Sequence, residues 1–210
     1  MPKNSKLDKN LFLLLSIFMG VVIIISNYLV QFPINKYNLQ EILTYGAFSY
    51  PITFLITDLA NRRFGKEKAR KLVYIGFTVG ILLTLFVSTN FEDIISIRIA
   101  IGSGVAFITA QLVDIEIFQR LRNNAWFVAP ITSSIFGSII DTFLFFSISF
   151  LGTGVPWVTL AFGDLFVKLL MALLMLVPFR LLMIKIRDLN SKQLSKNITD
   201  ISEEFRDRYS

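Results

Sequence analysis

Residues 126–150 form a long apolar stretch that carries one carboxylate, Asp141, near its middle. At about 100° per residue, Pro130, Ser134, Gly137 and Asp141 fall on one helical face, and Ile, Leu and Phe cover the opposite face. An ionisable side chain at membrane depth costs at least about 2.5–3.5 kcal/mol, so it is a functional candidate. We therefore expect Asp141 and Ser134 to face other helices or a solute-binding cavity.

The last apolar stretch, residues 157–184, carries an acid and a base one helical turn apart. Asp164 precedes Lys168 at i and i+4, which is the favourable order for an ion pair on a helix. Two interpretations stay open at this point. The pair neutralises itself, which makes two buried charges tolerable, or it acts as a proton-coupled switch.

Polar side chains near the ends of other apolar segments are further candidates. Amides offer donor and acceptor edges, and aromatic rings stack on flat molecules, so a cavity for a polar, planar solute uses both. The candidates for solute binding are Asn27, Gln31, Tyr45 and Gln111. The candidates for gating or coupling, besides the pair above, are Asp58, Arg98 and Asp114. For the groups at segment ends, the alternative is a role as an interfacial anchor.

Six apolar segments must position these side chains. Of the 210 residues, 54% are hydrophobic and 17% are charged, whereas soluble domains carry about 25% charge. Pro51 should kink the second segment and Pro178 should interrupt the sixth, and Gly76 and Gly80 are spaced for close helix packing, within the chain or in a dimer. The segments are 11–30, 42–60, 72–88, 94–118, 126–150 and 157–184. We predict an all-α integral membrane protein, a bundle of six transmembrane helices.

The basic residues indicate how the bundle is oriented. Of 21 Lys and Arg residues, 18 lie at the N-terminus, in residues 61–71, after the fourth segment, or from Arg180 onward. The three opposite loops carry only Lys36. By the positive-inside rule both termini are cytoplasmic. The expected parts are a cytoplasmic N-terminus at 1–10, a transmembrane transporter domain at 11–186, and a charged cytoplasmic tail at 187–210.

Composition also excludes several classes of chemistry. The chain has no Cys and no His, so disulfides, thiolate catalysis, His-based triads, the usual zinc sites and haem ligation are excluded. We expect no cofactor and no metal. The net charge is +6. The basic residues that produce it are placed as membrane orientation requires rather than as a nucleic-acid-binding surface, so the expected partners are the lipid bilayer and a small molecule.

An ordered set of short motifs resembles one family, the queuosine precursor transporters, also called the vitamin uptake transporters. The matching residues run from Ser26 to Lys168, across five of the six segments. They include Ser-Asn-Tyr-Leu-Val-Gln at 26–31, Thr-Tyr-Gly-Ala-Phe-Ser-Tyr-Pro at 44–51, Thr-Asp-Leu-Ala-Asn-Arg at 57–62, Arg-Ile-Ala at 98–100, Gln-Leu-Val-Asp at 111–114, Asp-Thr at 141–142, and Asp164 with Lys168.

The resemblance implies import of 7-cyano-7-deazaguanine or a related 7-deazaguanine across the bacterial inner membrane, for queuosine modification of tRNA. Such a solute presents a guanine-like edge with a carbonyl, a ring N–H and an amino group. A carboxylate accepts two of those donors, and an amide pairs with one donor and one acceptor. Asp141, Gln111 and Asn27 are then the expected edge-reading residues.

Two other functions remain as alternatives. The first is a substrate-binding membrane subunit for a vitamin-like solute, energised by a separate ATPase, because the chain has no phosphate-binding loop of its own. The more remote one is an intramembrane enzyme that uses Asp141 and Asp164, although Ala161-Phe-Gly-Asp164 lacks the first Gly of the aspartyl protease signature. A homodimer is also open. We predict a transporter and not an enzyme.

Overall fold

The computed structural model describes residues 5–29, 32, 34, 45–87 and 94–209. These residues form seven helices and no strand, which confirms the all-α prediction. The helices are α1 (Ser5–Leu29), α2 (Gly46–Ser49), α3 (Pro51–Phe64), α4 (Lys66–Val87), α5 (Ile94–Leu121), α6 (Val128–Phe150) and α7 (Trp157–Tyr209).

Four stretches of the described chain are long and apolar enough to cross a membrane. They are Asp8–Ser26 of α1, all of α5 and α6, and Trp157–Ile186 of α7. The second predicted segment corresponds to α2 and α3, and the third corresponds to α4. Residues 42–44 and 88, at the edges of those two segments, lie outside the described residues.

Two local breaks have clear causes in the sequence. Pro51 takes the first position of α3, after α2 ends at Ser49, because its fixed φ suits a helix start and it lacks an N–H to continue the preceding helix. Gly65 alone separates α3 from α4, with φ of 85°, a conformation that glycine adopts at little cost. The basic stretch at 61–71, which lies between the second and third predicted segments, is therefore almost entirely helical.

The C-terminal helix differs from its prediction. Pro178 lies inside α7 rather than interrupting it, and the helix runs on to Tyr209. The chain divides into two compact units, Met1–Met175 and Leu176–Ser210. The second unit is helical as far as Tyr209. The side chains that form the sites below all belong to the first unit.

The first unit has an apolar core between α1, α3, α4 and α5. Gly76 and Gly80 of α4 pack against Met19 and Ile23 of α1, so closely that a Cβ atom at either glycine would overlap those side chains. Small residues allow two helix backbones this approach, and the contact is then made by dispersion forces. Of the two uses left open for these glycines, the structure assigns them to packing within the chain.

Replacing Gly80 by alanine should destabilise the contact between α1 and α4. The added Cβ would overlap Ile23, and overpacking of this kind costs about 1–3 kcal/mol. Gly20→Ala is the matched control, because its Cβ would meet Val79 at an ordinary 3.4 Å. Thermal unfolding of the purified proteins in detergent should show a lower midpoint for Gly80→Ala than for Gly20→Ala. Equal midpoints would contradict this packing.

Candidate functional site

Four side chains of α6 and α7 form what we call the central polar cluster: Asp141, Thr142, Asp164 and Lys168. The Lys168 Nζ lies 2.8 Å from Asp141 Oδ2 and 2.6 Å from Asp164 Oδ2. It also lies 3.2 Å from Thr142 Oγ1, and the Thr142 hydroxyl donates to Asp164 Oδ2 at 2.9 Å. All four residues are buried.

The sequence pattern of α6 explains why Asp141 faces inward. The buried face of this helix carries Pro130, Ser134, Gly137 and Asp141, as the spacing predicted. Phe136 on the other side is half exposed, as a lipid-facing residue would be. The ring of Phe54 from α3 packs on Gly137, where an added Cβ would lie 2.6 Å from Phe54 Cε1. A neighbouring helix therefore makes the close approach at Gly137.

The charges of the central polar cluster do not balance. Two carboxylates share one ammonium, so with every group ionised the cluster carries one net negative charge. The ring of Tyr50 adds a weaker interaction, because Lys168 Nζ lies 5.4 Å from its centroid. A solute that brings hydrogen-bond donors would improve the electrostatics of this cluster, and the aromatic ring beside it is suited to stacking.

Gln111 of α5 is held by two threonines of α3. Its Nε2 donates to Thr53 Oγ1 at 2.9 Å, and its Oε1 accepts from Thr57 Oγ1 at 2.6 Å. Asn61, one turn further along α3, donates from Nδ2 to the Ile115 carbonyl at 3.0 Å. Both edges of the Gln111 amide are thus satisfied within the protein, and a solute would have to exchange with the threonines to reach them.

A second cluster joins α3 to α5 and α6. The carboxyl groups of Asp58 and Asp114, which we call the α3–α5 carboxyl pair, are both buried between the Thr57–Gln111 and Asn61–Ile115 bonds that join α3 to α5. The Ser133 hydroxyl of α6 donates to Asp58 Oδ1 at 3.3 Å. Asp114 is 0% exposed, and neither of its oxygens accepts a hydrogen bond from the described residues. Two acidic groups have therefore been brought together without a compensating cation in contact.

The arginines near these helix ends bind main-chain carbonyls. Arg98 donates from Nε to Ile148 O at 3.0 Å and from Nη2 to Leu151 O at 2.8 Å, and so caps the C-terminus of α6. Arg62 donates to the carbonyl of Arg122, and Arg122 donates in return to that of Arg62. The Arg62 guanidinium therefore bonds to the main chain just after α5, and its charge also acts on Asp58, four residues earlier in α3.

The remaining predicted site residues are Tyr45, Ser134, Asn27 and Gln31. Tyr45 precedes α2 and is 46% exposed, and Ser134 is buried on the inner face of α6. Asn27 belongs to α1, but its side chain lies outside the described part of the structure, as does all of Gln31.

Several contributing residues were not among the predicted site residues, although the sequence carries a signal for them. Thr53, Thr57 and Asn61 occur at i, i+4 and i+8 in α3, which places them on one face. Thr142 adjoins Asp141 and is completely buried. A count of hydroxyl and amide groups at helical spacing would have found this stripe, in addition to the charged residues.

A bundle of apolar helices that buries ionisable and amide side chains is the architecture of a polytopic membrane transporter. Residues 44–183 match a family described as "Putative vitamin uptake transporter". The chain is 33% identical to the "Probable queuosine precursor transporter" of Haemophilus influenzae over 83% of this chain and 87% of that protein. It is also 33% identical to the "Queuosine precursor transporter" of Escherichia coli, over 78% of this chain and 82% of that one.

A more distant relative is the "Probable queuosine precursor transporter" of Bacillus subtilis, 26% identical over 66% of this chain and 69% of that protein. No solved structure matches the chain. The extent of the family match and the identity to the first two relatives decide the assignment: the chain belongs to the vitamin uptake transporter family and is a multi-pass bacterial membrane protein.

Removing the ammonium of the central polar cluster should destabilise the protein. Lys168→Met leaves two buried carboxylates facing each other, and removing one partner of a buried pair typically costs about 3–5 kcal/mol. The melting temperature in detergent should fall well below that of the wild type. The double variant Lys168→Met/Asp141→Asn should recover part of the loss, since it removes one of the stranded charges. A Lys168→Met protein as stable as the wild type would show that the cluster carries no such charge.

Proposed function

We propose that this chain imports a queuosine precursor, 7-cyano-7-deazaguanine or a related 7-deazaguanine, across the bacterial inner membrane for queuosine modification of tRNA. The names of the relatives supply the class of solute. The central polar cluster is the observation that supports a solute site at particular residues. In it, two buried carboxylates share one ammonium beside an aromatic ring.

The chemistry of the solute matches that cluster. The ring N–H and the amino group of a 7-deazaguanine donate to the Asp141 carboxylate, and the adjacent carbonyl accepts from the Lys168 ammonium. Lys168 keeps its second carboxylate, Asp164, throughout this exchange. The solute thus replaces one contact of an existing ion pair and leaves no buried charge unpaired. The ring of Tyr50 is available to stack on the heterocycle.

The other predicted residues take supporting roles in this proposal. Gln111 reads a second edge once Thr53 and Thr57 release its amide. Asn27, Gln31, Tyr45 and Ser134 stay assigned to solute binding. Arg98 stays a gating residue, because any movement of α6 relative to α5 must break or carry its two bonds to the α6 carbonyls.

The proposed topology is six membrane spans with both termini in the cytoplasm. The spans comprise residues 11–186, flanked by a cytoplasmic N-terminus at 1–10 and a charged cytoplasmic tail at 187–210. The distribution of Lys and Arg supports this orientation. Asp8 pairs with Arg63 at 2.7 Å and Glu116 pairs with Lys66 at 2.5 Å, so these two acidic residues near the basic helix ends are matched by cations.

The chain acts as a carrier in this proposal, not as an enzyme. An intramembrane protease that used Asp141 and Asp164 would place a water molecule between the two carboxylates, and here the Lys168 ammonium contacts both. The second candidate function, a solute-binding subunit energised by a separate ATPase, predicts binding without transport by the purified chain. A homodimer is compatible with either function.

Proteoliposomes that contain only the purified chain test the proposal. Radiolabelled 7-cyano-7-deazaguanine should enter these vesicles, and unlabelled 7-deazaguanines should compete with it. Saturable binding without entry would favour the ATPase-dependent alternative. Neither binding nor entry, with folded protein in the vesicles, would contradict the proposed substrate.

Asp141→Asn should reduce uptake at low solute concentration by about tenfold or more. The change removes the carboxylate that accepts from the solute, and a hydrogen bond to a charged group contributes about 1.5–3 kcal/mol. Glu116→Gln is the matched control, since it removes a carboxylate from a partly exposed ion pair. Initial rates of labelled uptake, normalised to folded protein, give the comparison. Equal rates for Asp141→Asn and the control would remove Asp141 from the site.

A further inference from the structure

The α3–α5 carboxyl pair is not used by the transport scheme above. Asp58 and Asp114 come from different helices and are 2% and 0% exposed. They lie between two bonds that join α3 to α5, because Thr57, just before Asp58, bonds to Gln111 at 2.6 Å, and Asn61 bonds to the carbonyl of Ile115, just after Asp114, at 3.0 Å. Ser133 has one hydroxyl proton, and its two acceptors are Asp58 Oδ1 at 3.3 Å and the Pro130 carbonyl at 3.4 Å. Asp114 receives no hydrogen bond from the described residues. The described residues therefore supply fewer hydrogen-bond donors than these two carboxyl groups can accept.

A third buried acceptor lies beside this pair. Asn61 is one turn from Asp58 on α3, and its Nδ2 donates to the carbonyl of Ile115, the residue after Asp114. Its Oδ1 is fully buried and has no hydrogen-bond partner in the described part of the chain. The missing component is therefore a hydrogen-bond donor rather than another acceptor.

Among the described charged groups around the pair, Arg62 acts on Asp58 through its charge but directs its hydrogen bond elsewhere. The Arg62 guanidinium, from the same helix as Asp58, donates to the carbonyl of Arg122, just after α5, and lies 6.0 Å from the Phe118 ring centroid. From α1, Asp8 is paired with Arg63. Lys66 at the start of α4 and Glu116 of α5 pair with each other. From α6, the neutral hydroxyl of Ser133 faces Asp58.

Two carboxylates this close in a buried site do not both stay ionised, and a single proton shared between them removes the repulsion. A protonated Asp114 becomes a donor and forms an O–H···O bond to the Asp58 carboxylate, which joins α3 directly to α5. After the proton leaves for water, two like charges face each other in a medium of low dielectric constant. The same two helices are then pushed apart.

We propose that Asp58 and Asp114 bind one exchangeable proton that couples transport to the proton gradient. The inference rests on the proposed function and adds its driving ion. Proton release separates α3 from α5. Gln111 lies three residues before Asp114 on α5, so this separation breaks its bonds to Thr53 and Thr57 of α3. The proton thereby acts on Gln111, which lies beside the solute path. When the proton returns, the reciprocal bonds of Arg62 and Arg122 hold the C-terminal ends of α3 and α5 together.

Infrared difference spectroscopy tests the proton directly and needs no transport. A pH jump on the wild-type protein in lipid should change the carbonyl stretch of a buried carboxylic acid. Asp114→Asn and Asp58→Asn should each abolish that change, because neither leaves a carboxyl pair, and Glu116→Gln should retain it. The same signal in Asp114→Asn as in the wild type would overturn the proposal.

Proteoliposomes test the coupling. With one proton per solute, an acid-outside gradient of about one pH unit supports about tenfold accumulation of labelled 7-cyano-7-deazaguanine. Asp114→Asn should still exchange labelled for unlabelled solute, since its amide can donate to Asp58, but should lose the response to the gradient. Glu116→Gln should accumulate the solute as the wild type does.

The two proposals fail in different ways. Wild-type uptake that ignores the pH gradient, or that a sodium gradient drives instead, would overturn the proton site and leave the solute assignment standing. An Asp114→Asn protein that accumulates solute with the wild-type gradient dependence would also overturn it. If the wild type neither binds nor moves 7-cyano-7-deazaguanine, the proposed substrate fails, and the infrared comparison alone decides the proton site.

Discussion

The ammonium of Lys168 is the group on which the buried polar structure depends. It contacts two carboxylates from two helices at 2.8 and 2.6 Å. In a bilayer each of these charges alone would be expensive to bury, and together they are tolerable only while this geometry persists. The same constraint gives the site its function in our proposal. A solute that supplies donors to Asp141 can replace the ammonium there, and other solutes would leave a buried charge unpaired.

The α6 helix connects the two polar sites of the protein. Asp141 contributes to the central polar cluster, and Ser133, about two turns earlier, donates to Asp58 of the α3–α5 carboxyl pair. The α3 helix and the residue before it also reach both regions, because the N-cap residue Tyr50 lies beside Lys168 and Asp58 belongs to the pair. A movement of α3 relative to α5 and α6 would therefore alter both sites together, which is what a coupled carrier requires.

The sequence alone predicted those features that depend on spacing within one helix. The inward face of α6 followed from periodicity, and the i,i+4 order of Asp164 and Lys168 predicted their pairing, both of which are confirmed. Contacts between helices could not be derived in this way, because periodicity does not say which helices are neighbours. The second partner of Lys168 is therefore a finding of the structure, and so is the packing of Gly80 against Ile23.

The most direct test of the central claim is the queuosine content of tRNA in bacteria that cannot synthesise the precursor and lack their own transporter. Such cells, supplied with a low concentration of 7-cyano-7-deazaguanine, should form queuosine when they express this chain. They should form far less when they express Asp141→Asn at the same level in the membrane. Equal queuosine in cells with and without the wild-type chain would contradict the account.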